Sequence, residues 1–209
     1  MKGLWSVGFA ALFPSTALVP GRNAMPIHIN DEQLDQCLFD ALYALMQTRS
    51  IEELTVGEIL ERAHVSRSSF YRRYRDKYEL LTGSYEHILQ STYLRCVSGA
   101  PWKESTAALY RVLAEHPRFF CNALPARGPN SLWQYICDIC MKSYEEILRQ
   151  HGVDLHADWR LMAAVQCQIY GGLEVTCQWL KSGMPCSVEE MIDLLYDVLP
   201  DFLKRALEA

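Results

Sequence analysis

The residues best suited to chemistry in this sequence form a short basic segment between residues 62 and 77. Six cations and one anion give that segment a charge of +5, whereas the 209-residue chain has a formal net charge of −5, so the remainder carries −10. Arginine and lysine pair with phosphates, and arginine also donates to the paired acceptors of guanine. The segment therefore indicates nucleic-acid binding, although an isolated charge run is more often a solvated surface. Its cations are Arg62, Arg67, Arg72, Arg73, Arg75 and Lys77.

Helix start signals flank this basic segment. Thr55 with Glu58 forms a capping box that opens one short helix, and Ser66 is placed to cap a second helix after a tight turn at residues 64–65. Two short helices joined by a tight turn, with cations on the second, are the pattern of a helix-turn-helix over residues 55–77. This arrangement makes a merely solvated basic surface the weaker interpretation.

The second helix of such a unit enters the major groove of DNA. Its first turns would bring Arg67, Ser68, Ser69 and Arg72 to base edges, while Tyr71, Arg73 and Lys77 would contact phosphates. Lys77 begins the next helix, where free backbone N–H groups also favour a phosphate. The candidate DNA-contacting residues are Thr55, Arg67, Ser68, Ser69, Tyr71, Arg72, Arg73 and Lys77.

The elements that carry these residues belong to a chain that is predicted to be helical throughout. Apolar positions three and four apart recur from residue 30 onward, and no stretch reads convincingly as a strand. We therefore expect an all-α fold with a three-helix DNA-binding domain over residues 30–76 and a larger helical body over residues 77–209. The predicted helices outside residues 55–74 run over 30–49, 76–97, 104–115, 131–151, 158–181 and 187–203.

The first residues of the chain imitate a secretory signal, with Lys2 followed by a short apolar run. A DNA-binding segment has no use outside the cell, and Met25 offers an alternative start just before the patterned sequence. We therefore expect residues 1–29 to be an unstructured or mis-called extension rather than a working signal. No other stretch is long and apolar enough to cross a membrane.

Eight cysteines raise the question of disulfides, metal binding or redox chemistry. Most lie inside apolar helical patterns, which is typical of reduced, buried thiols in a cytoplasmic protein. Cys137 and Cys140 form a single CxxC, and without a second pair at ligand spacing we interpret it as packing, with a thiol switch as the alternative. We expect no metal, no cofactor and no enzymatic activity, because motifs for a nucleophile or a phosphate-binding loop are missing.

Residues 55–81, TVGEILERAHVSRSSFYRRYRDKYELL, resemble the DNA-binding head of the TetR family of bacterial regulators. His64 departs from the family pattern, which usually has glycine there, but a left-handed backbone is less costly for histidine than for most residues. Ser68 also replaces a frequent glycine, and Arg73 a frequent histidine. The resemblance implies a sequence-specific transcription regulator. It is carried by Ala63, Val65, Ser66, Phe70, Tyr71, Tyr74 and Lys77.

The C-terminal half resembles, more weakly, the body of a TetR subgroup that includes regulators of dihydroxyacetone kinase genes. The matching stretches are HPRFFCNAL, GPNS and YGGLEVTCQWLKSGMPCSVEEMIDLL. This resemblance implies a ligand-responsive homodimeric repressor on a palindromic operator, with the last two long helices pairing between subunits. The two adjacent glycines would let backbones approach closely. The expected interface residues are Gly172, Val175, Trp179, Leu194, Leu195 and Val198.

Aromatic side chains are frequent in the predicted body, where they either line an apolar pocket or form plain core. A small-molecule effector for them is implied by the family rather than by their spacing. In an alternative function the head is kept and the body recruits a partner protein, as in a DNA-associated coactivator. Both functions imply double-stranded DNA as a partner, a location in the cytoplasm and no membrane contact. The candidate pocket residues are Tyr110, Phe120, Trp133, Cys137 and Tyr170.

Overall fold

A computed structural model of the protein describes residues 31–208, and every regular element in that range is helical. The prediction of an all-α fold is confirmed. In our numbering the first five elements are α1 (Asp31–Leu45), α2 (Val56–Ala63), α3 (Arg67–Tyr71), α4 (Lys77–Ser91) and a 3₁₀ segment (Tyr93–Ser98). The others are α5 (Trp102–Glu115), α6 (Pro117–Ala123), α7 (Leu132–Gln150), α8 (Trp159–Lys181), α9 (Val188–Asp197) and α10 (Asp201–Glu208). The predicted extension over residues 1–29 and the predicted cap at Asn30 lie outside the described residues.

Residues 31–76, which we call the head, fold around a small apolar centre. α1 packs against α2 and α4, and α3 packs against α2. Leu38 and Leu42 of α1, Ile59 of α2 and Phe70 of α3 are completely buried. Because Phe70 is the buried residue of a five-residue helix, it holds α3 in place while the rest of that helix faces outward.

Several helices end earlier than their sequence patterns predict, and the first of them, α1, ends at Leu45 instead of near residue 49. α4 stops at Ser91, not near Val97, because the Thr92 hydroxyl donates to the Ile88 carbonyl and the backbone then turns into the 3₁₀ segment. The predicted helix over residues 187–203 is interrupted before Pro200, which has no backbone N–H to continue the hydrogen-bond ladder. A separate helix, α10, starts at Asp201.

Residues 77–208, which we call the body, share one continuous hydrophobic core with the head. Phe39 of α1 packs edge-on against Phe119 of α6, with ring centroids 6.1 Å apart. Asn122 joins the same two regions through two hydrogen bonds. Its side-chain amide donates to the Met46 carbonyl at 2.8 Å, and its backbone carbonyl accepts from the Ile51 N–H at 3.1 Å. The head is therefore anchored on α6 by both apolar and hydrogen-bonding contacts.

Among residues 31–208, no helix combines the length and the apolar character that a membrane span requires.

Candidate nucleic-acid interface

The turn between α2 and α3 is fixed by local hydrogen bonds. The Thr55 hydroxyl accepts from the Glu58 N–H, and the Glu58 carboxylate accepts from the Thr55 N–H at 2.8 Å, which completes the predicted capping box. His64 ends α2 in the left-handed region with φ of 55°, as its place in the family pattern requires, and its N–H donates to two carbonyls of the last turn. Ser66 then caps α3 by accepting from the Ser69 N–H at 3.1 Å.

Three serine hydroxyls cluster at the start of α3. The Ser66 hydroxyl lies 2.9 Å from that of Ser68 and 2.8 Å from that of Ser69. These contacts order the first turn of α3 without burying it, since Ser68 is exposed. Tyr71 follows on the same short helix with 52% of its surface exposed and its ring edge-on to Phe70. Hydroxyl groups that can donate and accept are therefore presented outward from a fixed backbone.

Arg67, the first residue of α3, extends along the start of α2. One of its terminal nitrogens lies 3.6 Å from the point where a Cβ on Gly57 would stand. Gly57 is in the first turn of α2, whose backbone N–H groups favour an anion. The position suits contact with a phosphate as well as with a base edge.

Two acidic residues of α1 stand beside Arg72 and Arg73, which directly follow α3. Asp35 accepts hydrogen bonds from both Nε and Nη2 of Arg73 and, at 2.7 Å, from the Tyr74 hydroxyl. Hydrogen bonding to Asp35 raises the pKa of Arg73 well above its ordinary value. Arg72 has a looser contact, with Nη2 3.7 Å from Asp31. Arg73, a predicted phosphate contact, is thus engaged in fixing α3 on α1, whereas Arg72 stays available at the surface.

Lys77, the other predicted phosphate-contacting cation, is also engaged within the protein. Its ammonium donates to the carbonyls of Glu52 and Leu54, at 3.1 and 2.6 Å. Partial burial lowers the pKa of Lys77 from its ordinary value. This contact ties the first residue of α4 to the loop that precedes α2, so the helix-turn-helix is attached to the body at both of its ends.

Asp76 and Glu79, three residues apart, predict a capping box at the start of α4, and the structure differs from it in detail. Asp76 accepts from the N–H groups of Tyr78 and Glu79, both at 2.9 Å, as a cap should. The Glu79 carboxylate, however, accepts from the Arg75 N–H instead of that of Asp76. Arg75, like Arg62, is a cation of the basic segment that is not among the predicted DNA contacts. Its side chain is 81% exposed, and it pairs with Glu79 at 3.2 Å.

The body contains an internal cavity of about 90 Å³ between α4, the 3₁₀ segment, α5, α7, α8 and α9. Of the five predicted pocket residues, Tyr110 lines this cavity and the other four do not. Phe120 is completely buried against Tyr85 and Phe119. Trp133 stacks under the Arg127 guanidinium, whose central carbon is 3.6 Å from the ring centroid. Cys137 is buried beside the cavity, and Tyr170 is exposed on α8.

The predicted interface residues on α8 and α9 separate into two groups. Val175, Leu194 and Val198 are exposed large apolar side chains, as is Tyr170. Trp179 and Leu195 are instead buried within the chain, where the Trp179 indole N–H donates to the Cys186 carbonyl at 3.0 Å. Gly172 faces inward, because a Cβ there would lie 3.5 Å from Leu195, whereas a Cβ on Gly171 would meet no atom within 4 Å.

All eight cysteines, which lie within the described residues, are free thiols. Burial raises the pKa of Cys137 to about 11 and that of Cys140 to about 12, which keeps both protonated and poorly nucleophilic at neutral pH. These properties fit the packing interpretation of the CxxC. The described residues include no group of histidine, cysteine or carboxylate side chains arranged to hold a metal ion.

Comparisons with known proteins agree with this geometry. Residues 38–82 match the family described as "Bacterial regulatory proteins, tetR family", and residues 101–201 match "Transcriptional regulator C-terminal region", a TetR body. No curated protein sequence matches the chain. The fold and the helix-turn-helix define a DNA-binding transcription regulator. The chain belongs to the TetR family.

Two solved structures share the fold. The dihydroxyacetone kinase operon activator DhaS is 18% identical with a TM-score of 0.51, and the match covers 79% of this chain and 93% of DhaS. A TetR-family transcriptional regulator from Streptomyces coelicolor is 19% identical with a TM-score of 0.56, and the match covers 86% of this chain and 90% of that one. TetR regulators act by binding DNA and not by catalysis, and membership of this family agrees with the prediction that the chain is not an enzyme.

Proposed function

We propose that the protein is a ligand-responsive homodimeric repressor that binds a palindromic operator through the head. The observation that carries this proposal is the outer surface of α3, where Arg67, Ser68 and Arg72 are exposed on a helix whose inner side is fixed by Phe70. Arginine side chains on the first turns of such a helix reach guanine acceptors in the major groove. In this proposal residues 30–76 form the DNA-binding domain and residues 77–209 the dimerisation and sensing domain.

The experiment that tests DNA recognition compares single alanine variants on the DNA that flanks the protein's own gene. We expect Arg72→Ala to weaken binding to the protected site about tenfold or more while changing binding to unrelated DNA much less. Arg111→Ala is the matched control, because Arg111 is an exposed, ion-paired arginine of the body. If footprinting at low salt detected no protected site, or if Arg72→Ala and Arg111→Ala behaved alike, the proposed recognition surface would be refuted.

A second copy of the chain is the proposed partner of the exposed apolar surface on α8 and α9, formed by Tyr170, Val175, Leu194 and Val198. Two features support this assignment. All four large apolar side chains are exposed, and in this proposal they form one patch of the kind that marks a protein interface. A Cβ on Gly171 would meet no atom within 4 Å, so a second backbone could approach closely there. A two-fold dimer would also present two copies of α3 to two half-sites of a palindrome.

The dimer is tested by placing a charge in this apolar surface. We expect Leu194→Asp to shift the protein from dimer to monomer in sedimentation equilibrium and to reduce operator binding accordingly. Gln90→Asp, at an exposed position of α4, is the matched control and should leave the mass unchanged. A wild-type chain that sediments as a monomer at the concentrations used for DNA binding would contradict the proposal.

The direction of regulation is tested in cells. With a reporter gene behind the operator, a repressor lowers expression and a deletion of the regulator raises it. DhaS, which shares the fold, is by its name an operon activator. Reporter expression that falls on deletion would therefore replace repression by activation without affecting the DNA-binding part of the proposal.

A further inference from the structure

The internal cavity of the body has a neutral lining. Its side chains are aliphatic, aromatic or uncharged polar, and they come from six different elements, with Tyr93 on the 3₁₀ segment, Trp102 on α5 and Tyr144 on α7 among them. A charged ligand would have to be removed from water with no opposite charge to receive it, which is strongly unfavourable. The lining therefore selects against ions and in favour of neutral molecules.

Three hydrogen-bonding groups of this lining make no hydrogen bond of regular geometry within the described residues, namely the Tyr93 hydroxyl, the Trp102 indole N–H and the Thr106 hydroxyl. The Thr106 hydroxyl and the Trp102 indole N–H are both buried, in residues that are 4% and 5% exposed, and neither makes a hydrogen bond of regular geometry. The Tyr144 hydroxyl interacts with Trp102 without reaching that geometry. An indole N–H can only donate, so a molecule that satisfies it must offer an acceptor.

Two other hydroxyls of the cavity are already paired. The hydroxyls of Tyr110 and Thr176 share a hydrogen bond between α5 and α8, and the Thr176 hydroxyl also contacts the Gly172 carbonyl at 2.7 Å. Of the three unpaired groups, Trp102 and Thr106 lie four residues apart on α5, whereas the Tyr93 hydroxyl belongs to the 3₁₀ segment and interacts with Tyr144. A ligand acceptor can therefore be received by the two α5 groups, while the remainder of the ligand meets mostly apolar surface.

We propose that this cavity binds a neutral organic molecule of one ring, whose single acceptor receives hydrogen bonds from Thr106 and Trp102. An apolar cavity of about 150 Å³ is known to hold benzene, so a ring in this smaller cavity must displace part of the lining. Leu195 is the side chain that we expect to move, since it lines the cavity from α9.

α9 also carries Leu194, and Val198 of the proposed dimer surface follows directly after its last residue. Occupation of the cavity would therefore alter subunit pairing, and this regulatory step rests on the proposed function.

The probes for this proposal are phenol, toluene and benzoate, which share a ring and differ in acceptor and charge. Binding is measured on the full DNA-free chain by calorimetry and by the methyl resonances of Ile136 and Ile169, which line the cavity. We expect phenol to bind about tenfold more tightly than toluene, because toluene leaves both donors unpaired. Benzoate should not bind. Toluene binding as tightly as phenol, or benzoate binding comparably, would overturn the proposal.

A pair of variants assigns the acceptor site. Thr106→Val keeps the side-chain shape and removes the hydroxyl, so the preference for phenol over toluene should fall several-fold. Ser105→Ala is the matched control, because Ser105 is an equally buried neighbour with an unpaired hydroxyl that does not line the cavity. An unchanged preference in Thr106→Val would overturn the assignment. If Thr106→Val does not fold, the order of the three probes on the wild-type chain decides alone.

Operator binding by the ligand-free protein is measured separately, so the two proposals fail independently. A protein that binds its operator but shows no phenol preference loses the cavity proposal only. If the protein selects phenol but protects no DNA, the cavity proposal stands and the proposed function is refuted.

Discussion

The head and the body of this protein use their buried residues for different purposes. In the head, the buried residues hold exposed ones in place. Phe70 and Ile59 are completely buried, and they fix the outward-facing side chains of α3. In the body the interior is itself the candidate binding surface, since Trp102 and Thr106 face an internal cavity. Changes to exposed side chains of the head should therefore alter DNA contacts, and changes to buried side chains of the body should alter ligand binding.

The largest effect that tests this difference comes from neighbouring residues on opposite sides of α3. We expect Phe70→Ala to lower the free energy of unfolding by about 3–5 kcal/mol, because it removes a fully buried ring. Tyr71→Ala is the matched control, and we expect it to change the free energy of unfolding by less than about 1 kcal/mol while weakening DNA binding. Urea denaturation followed by circular dichroism measures both. Equal destabilisation by the two variants would show that the outer side of α3 is also structural.

Lys77 and Arg75 sharpen the comparison at the junction of head and body. Because the Lys77 ammonium donates to two carbonyls, we expect Lys77→Met to lower the free energy of unfolding by about 1.5–3 kcal/mol. Arg75→Met, at a far more exposed position, should leave stability nearly unchanged. If Arg75 contacts a phosphate, its loss reduces the slope of log affinity against log salt by about one charge. A Lys77→Met protein as stable as wild type would show that its carbonyl contacts are dispensable.

The cap of α2 gives a smaller effect. Thr55→Ala removes the hydroxyl that accepts from the Glu58 N–H, and we expect a loss of about 1 kcal/mol in the free energy of unfolding. Thr55→Ser keeps the hydroxyl and should restore most of that loss. Thermal unfolding in the absence of DNA measures both variants. A deficit that Thr55→Ser does not restore would point to the lost methyl group rather than to the cap.

The starts of α2 and α3 could be predicted because their signals are local. Thr55 and Glu58 are three residues apart, and Ser66 directly precedes the helix that it caps, so each element's start is determined within one turn of chain. In the body, Ser131, Asp158 and Ser187 likewise cap α7, α8 and α9, each from the position directly before its helix. The side-chain partners of Arg73 and Lys77 could not be predicted this way. Asp35 lies 38 residues from Arg73, and a charge count cannot show that pairing.

The cavity was harder to predict because its lining depends on which face of each helix turns inward. Residue type alone points to Tyr170 as the pocket residue of α8. Tyr170 faces outward, however, whereas Ile169 and Leu173 face the cavity. One step along a helix rotates a side chain by about 100°. The inward face of α8 could be read only once α5, α7 and α9 were placed around it. Helix start signals carry no such information.

The smallest expected effect is a difference in the pH dependence of stability between two capping boxes, one in the head and one in the body. Glu58 closes the box of α2 and also accepts from Arg49 at 2.7 Å, and hydrogen bonds from Arg49 and Thr55 lower the pKa of Glu58 to about 2. Glu190 closes the box of α9 with Ser187, and its pKa is lowered by Ser187. A carboxyl whose pKa is depressed in the folded state stabilises that state above its unfolded pKa, and this contribution is lost as the pH falls toward the folded pKa.

Glu58→Gln should therefore lower the melting temperature at neutral pH, and its difference from wild type should shrink as the pH falls from about 4.5 toward about 2. Glu190→Gln should show the same trend with a smaller amplitude, because Glu190 has no arginine in its box. Both carboxylates are exposed, so solvent screening keeps the two effects small. Melting curves over this pH range compare the variants directly. If Glu190→Gln gave the larger pH-dependent difference, the Arg49 contact would not strengthen the capping box of α2.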